Sequence, residues 1–179
     1  LGPLPETPQG SRYVMGAICK FSRWAVARAY VEFPASEDVI TFIREEMCSF
    51  GLPKAIYSDR GSNFISAQSR VFCEGLSIEQ KVSTAYHSTT AGGVERWWQI
   101  LQTLIRTSGD ADWDLNLPVM LSMYHERPQA GMGGRSPHEV VFGFPRRTLA
   151  DTKWGSVRDA WSRWVERFLG ESVWTTQHD

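Results

Sequence analysis

The sequence predicts an α/β fold in which a mixed sheet is covered by helices. Two runs rich in valine, tyrosine and other aromatics, "RYVMGAICKF" (12–21) and "RWAVARAYVEF" (23–33), open the chain almost back to back. After them, short apolar runs alternate with stretches of helical period. The 179 residues, 42% hydrophobic and 22% charged, are enough for one good core and an appendage.

The two opening runs read as antiparallel strands joined by a tight turn near Phe21, Ser22 and Arg23. "PASEDVITFIREEMCSFG" reads as a helix. Ser36 is its expected N-cap, Glu37 and Asp38 suit the positive end of the dipole, and Gly51 stops it. Val39, Phe42, Ile43, Met47 and Phe50 keep helical spacing and should share one buried face. "PKAIYS" (53–58) has the pattern of a buried strand that opens into the polar turn "DRGSN". "FISAQSRVFCEGL" reads as a second helix and "IEQKVST" as a further short strand.

"AYHSTTAGGVERWW" (85–98) reads as a small-residue loop running into a helix from about Val94 to Thr107. Val94, Trp97, Leu101, Leu104 and Ile105 define its apolar stripe, which makes Trp97 a core residue and leaves Trp98 at the stripe's edge. "DWDLNLPVMLSMYHER" is a further helix that tolerates Pro118 only in its first turn. "AGMGGRS" is a flexible connection, and "SPHEVVFG" a capped short helix with proline in first position. An extra amphipathic helix, "KWGSVRDAWSRWVERFLGE", closes the chain, with Trp154, Val157, Trp161, Trp164, Val165 and Phe168 in one stripe.

No apolar stretch approaches the ~18 residues of a membrane span, and the first residues lack the basic start and apolar run of a signal peptide. Formal net charge is −1, so bulk electrostatics do not single out nucleic acid. Fifteen arginines against four lysines favour phosphate recognition only weakly. Cys19, Cys48 and Cys73 are odd in number and form no CxxC pair, which argues against a disulfide framework or zinc cluster. Their apolar contexts predict buried small hydrophobes in a reducing compartment.

Two carboxylates stand out. Asp59 directly follows a strand, where open α/β sheets place ligands, and Glu95 begins a helix after a small-residue loop. Such a pair suits hard divalent cations, which take oxygen ligands, and two ions can clamp an in-line phosphoryl displacement. From spacing alone, solvated surface acids are the favoured reading.

Several blocks then occur in order: "GPLPETPQGSRYVMGAICKFSRW", "GLPKAIYSDRGSNF", "STAYHSTTAGGVER", "MYHERPQAGMGGRSPHEVVFG" and "FPRR". Together they resemble the catalytic core of retroviral and gypsy-type retrotransposon integrases, over about residues 1–147. The resemblance implies a ribonuclease H-like mixed sheet flanked by helices, with residues 148–179 as a C-terminal linker and amphipathic helix. It implies an Asp, Asp, Glu triad holding two Mg²⁺ or Mn²⁺ ions, which trims element-end DNA and joins it to target DNA. Asp59 matches the second acid and Glu95 the third. The first matches a position two residues before Leu1, outside this sequence.

Ser62 and Asn63 match positions near DNA in the family, and Trp98, Gln99 and Gln102 should share the Glu95 face that the family turns to DNA. His87 reads first as a merely polar loop residue, with a DNA contact as its alternative. Homo-oligomerisation and a nuclear location are also implied. "YHSTTAGGVER" departs from the family's more usual "YHPQTNGQVER", and a WW pair follows. These departures motivate a second reading, a host-adopted or degenerate core that binds DNA or protein without catalysis. A ribonuclease H proper shares the fold but is disfavoured by the "GPLP" and "GGVER" blocks.

Overall fold

β1 (Tyr13–Ile18) and β2 (Ala25–Tyr30) form the expected antiparallel hairpin, with Tyr13 opposite Tyr30 and Ile18 opposite Ala25. The computed structural model describes residues 1–59, 61–82, 88–108 and 111–146, with the side chains of 88–92 and 108 left aside. His87 and the C-terminal tryptophan stripe lie outside the described residues. The backbone divides into two units, Leu1–Ser122 and Met123–Asp179.

In the hairpin connection, the Cys19 N–H donates to the Trp24 carbonyl at 2.7 Å and the Arg23 N–H to the Cys19 carbonyl at 2.9 Å. Arg23 closes this turn in the left-handed region, at φ 58°. Leu1 adds a rung on the other edge of β1. Its ammonium donates to the Val14 carbonyl at 2.8 Å and its carbonyl accepts the Val14 N–H at 2.9 Å. Val14 thus turns its polar backbone away from β2, as alternate residues of a strand must.

α1 (Ser36–Phe42) is capped by Ala35 rather than Ser36. The Ala35 N–H donates to Asp38 Oδ2 at 2.8 Å, so the acid three residues on supplies the cap. The chain then passes through a π-helical turn at Ile43–Met47 and a 3-10 turn at Cys48–Phe50. The extra residue of the π turn brings the adjacent Glu45 and Glu46 onto one cation, Arg28 of β2, at 2.7 and 2.6 Å. It also shifts the helical phase. Val39, Phe42 and Ile43 are buried as expected, whereas Phe50 is turned outward and packs on Trp24, centroids 5.1 Å apart.

β3 (Ala55–Ser58) and β4 (Glu79–Val82) pair in parallel, joined by α2 (Ala67–Gly75), so the strand directions are mixed as predicted, in two two-stranded sheets among the described residues. β3 is half-buried rather than buried, with Tyr57 exposed. Met15, Val39, Phe42, Ile43, Cys73 and Ile78 form the buried cluster between these elements. Of the cysteines only Cys73 is fully buried, and Cys19 is exposed where β1 leaves for the turn.

α3 (Ser88–Ser108) starts six residues earlier than its sequence pattern indicates. Small residues with poor intrinsic helicity are carried by a long helix whose Trp97, Leu101 and Ile105 are buried at four-residue intervals. Val94, expected in that stripe, is exposed at the helix edge. α4 (Trp113–Glu126) holds Pro118 in its second turn, not its first. Pro118 lies on the exposed side, where water can satisfy the carbonyl it leaves unbonded. The Trp113 indole donates to the Pro5 carbonyl at 2.8 Å and Thr7 Oγ1 to Asp114 Oδ2 at 2.8 Å, strapping the first residues of the chain to this helix.

In the second unit, the connection expected to be flexible is an organised turn. Gln129 and Arg135 are bridged by a 3.0 Å backbone bond, around a 3-10 turn at Ala130–Met132 and left-handed Gly133 and Gly134. α5 (Pro137–Phe142) has the predicted cap. Ser136 Oγ accepts the Glu139 N–H at 3.2 Å, and the Ser136 N–H donates to Glu139 Oε2 at 2.7 Å.

Candidate metal and nucleic-acid site

The "SDRGSNF" block folds into a turn at the C-terminal end of β3 that presents Asp59 to solvent. Asp59 Oδ1 accepts the Gly61 N–H at 3.1 Å. A Cβ at Gly61 would stand 2.8 Å from Asn63 Oδ1 and 3.1 Å from Asp59 Oδ1, so the turn is tight against this glycine. Asn63 is buried. Its amide nitrogen donates to the Pro34 carbonyl at 3.0 Å and its oxygen accepts the Phe64 N–H at 3.1 Å. It therefore anchors the turn, while Ser62 beside it is exposed.

Glu95 is exposed on α3, followed along its face by half-buried Trp98, exposed Gln99 and half-buried Gln102. The helix holds all four at the three-, four- and seven-residue spacing that shares a face. Trp97 is buried to 1% exposure, with its ring 4.4 Å from that of Trp98. Below it, a Cβ on Gly16 of β1 would collide with the indole edge. That close approach seats α3 on the hairpin.

Among the described residues no group of three or more His, Cys, Asp or Glu side chains converges on a metal position. Asp59 and Glu95 are two oxygen donors of the right kind for a hard cation, not a complete set.

Residues 3–88 match the integrase core domain family. The chain is 29% identical over 145 residues to the Pol polyprotein of Radiation murine leukemia virus (strain Kaplan), covering 76% of this chain and 24% of that protein. It is 27% identical over 146 residues to the retrovirus-related Pol polyprotein from transposon 412 of Drosophila melanogaster, covering 80% of this chain and 12% of that protein. The chain is thus similar to the retroviral and retrotransposon integrase cores. The crystal structure of the catalytic core domain of BIV integrase superposes with a TM-score of 0.61 at 19% identity, over 73% of this chain and 85% of that one. At that identity it establishes the shared fold, and with it the ribonuclease H-like architecture.

Within this site, sequence reasoning picked out the acids and the α3 face but passed over Gly16, Gly61 and Gly93. Gly16 carried a signal, because a glycine inside a strand marks a bulge or a close approach.

Proposed function

We propose that this chain is the catalytic core of a retroelement integrase, which trims element-end DNA and joins its 3′-hydroxyls to target DNA. Asp59 and Glu95, with an aspartate two residues before Leu1, would hold two Mg²⁺ or Mn²⁺ ions. When bound, the ions stabilise charge on the attacking and leaving oxygens of an in-line displacement.

The chain's own residues position the rest. Gly61 orients Asp59 through its N–H. Ser62, Trp98, Gln99 and Gln102, with His87, contact DNA and set the scissile phosphate against the acids. In trimming, water attacks phosphorus and the 3′-oxygen leaves. In joining, the new 3′-hydroxyl attacks a target phosphodiester, forms a P–O bond as the target's own 3′-oxygen departs, and surrenders its proton to solvent. No protein nucleophile is required. The exposed Leu115 and Val119, four residues apart on α4, support homo-oligomeric assembly.

The observation that carries this reading is the backbone rung between Leu1 and Val14 on the free edge of β1. Continuing the antiparallel register, in which Leu1 faces Val14, sets the second preceding residue opposite Gly16, under Trp97.

The test is Mg²⁺-dependent strand transfer by protein extended to include the preceding residues, with Glu95→Gln as control. Activity in the extended protein and its loss in Glu95→Gln is the expected result. Equal activity of the two overturns the site assignment. The altered loop "YHSTTAGGVERWW" favours the second reading, a core retained for binding without catalysis. Any residue but aspartate two positions before Leu1 would decide for that reading.

A further inference from the structure

We propose that the tip of the β1–β2 hairpin is a DNA contact beside Glu95, with Arg23 on a backbone phosphate and Phe21 stacked against a base. The inference rests on the DNA-joining reading above and adds a hairpin element that the acids and the α3 face do not include. Three observations converge on it.

The Arg23 guanidinium lies over the backbone of α3 at Gly93, two residues before Glu95. A Cβ at Gly93 would collide with Arg23 Nη1. The missing side chain is what admits the cation to this part of the helix. Arg23 also takes a left-handed backbone conformation, φ 58°, that glycine or asparagine adopts more readily. A strained backbone that delivers a charge to a site is a pattern of functional positions. Among the described residues no carboxylate forms an ion pair with it.

The rest of the tip has a matching composition. Phe21 is 83% exposed, and Lys20 beside it is exposed as well. An aromatic ring between two cations fits nucleic acid, with phosphates neutralised on either side and a π face offered to a base. A core-packing role does not account for a phenylalanine so exposed.

The experiment measures equilibrium binding of a labelled duplex with a recessed end by fluorescence anisotropy, in EDTA and across a salt series. Arg23→Gly keeps the left-handed turn and removes the charge. Gly93→Ala keeps the arginine and displaces its guanidinium, while favouring the helix. Both should weaken binding, by on the order of 5-fold for Arg23→Gly. The salt slope for Arg23→Gly should fall by about 0.9, the share of a single neutralised phosphate. Phe21→Ala should weaken binding without changing the slope, since stacking releases no counterions. Thermal melting of Arg23→Gly should be no lower than wild type. Wild-type binding with Arg23→Gly unchanged in affinity and slope overturns this inference alone. Absence of any wild-type binding overturns the DNA-joining reading together with it.

Discussion

Gly16 of β1 lies directly beneath the indole of Trp97. A Cβ there would be 2.9 Å from Trp97 Cζ3 and 3.0 Å from the Val26 carbonyl oxygen. Neither neighbour can yield easily, because Trp97 is buried and the carbonyl belongs to the hairpin ladder. Gly16→Ala should therefore cost about 1–3 kcal/mol, the usual penalty of overpacking. A urea unfolding curve checks this, and wild-type stability would show that α3 sits more loosely on β1 than the close approach requires.

The adjacent tryptophans should separate cleanly. Trp97→Ala empties a buried site and should cost about 3–5 kcal/mol. Trp98 is half-buried and contributes chiefly its ring contact with Trp97, so Trp98→Ala should cost only about 0.5–1.5 kcal/mol. If Trp98 stacks on a base, the same variant should weaken DNA binding by roughly 1–3 kcal/mol. Denaturation and binding measured on both variants give the two answers independently.

Ser77 closes α2 in the left-handed region, at φ 57°. Its N–H donates to the Glu74 carbonyl at 3.0 Å and the Ile78 N–H to the Cys73 carbonyl at 2.8 Å, the paired bonds of a Schellman cap. Glycine is the residue this position prefers, and Ser77 is exposed. Ser77→Gly should stabilise the protein by about 1 kcal/mol. A fall in melting temperature would contradict the assignment.

What the sequence made legible follows from how local each feature is. The β1–β2 hairpin and the Ser136–Glu139 capping box are short-range patterns and stand where they were expected. Asp59 was found because a strand stopped abruptly at a polar turn. The π turn at Ile43–Met47 was not legible, since the cation its two glutamates share, Arg28, comes from another element. The early start of α3 was hidden by small residues that read as loop and become helical through the burial of Trp97 and Leu101 further along. Glycines at 16, 61 and 93 were visible as letters, but what fills the space beside each is a tertiary fact.

Asp114 makes stability depend on pH. Burial disfavours its charged form, but hydrogen bonds from Ser11, Thr7 and the Leu115 N–H outweigh this and hold the carboxyl below its usual range. Because the folded value lies below the unfolded one, the stabilisation is fully present above the ordinary carboxylate pKa of about 3.9 and fades as pH falls through the folded value. Asp114→Asn should therefore be less stable than wild type at neutral pH, with the gap closing as pH falls below the ordinary carboxylate range. Urea midpoints at several pH values test this. A gap independent of pH would mean that the strap to Thr7 does not need the charge.

Gly61→Ala tests whether the turn after β3 serves Asp59. The added Cβ meets Asn63 Oδ1 at 2.8 Å and Asp59 Oδ1 at 3.1 Å. Asn63 is fixed from both ends of its amide, by the Pro34 carbonyl and the Phe64 N–H, whereas Asp59 is exposed. The turn itself must therefore shift at Gly61, moving the N–H that holds Asp59. The substitution should cost no more than about 1–3 kcal/mol of stability, the range of ordinary overpacking. On protein extended to include the residues before Leu1, it should depress Mg²⁺-dependent strand transfer by roughly 100-fold, because a misplacement near 1 Å in a positioned reaction carries a penalty of that order. Folded Gly61→Ala protein with undiminished strand transfer would show that the Gly61 N–H is dispensable for the orientation of Asp59.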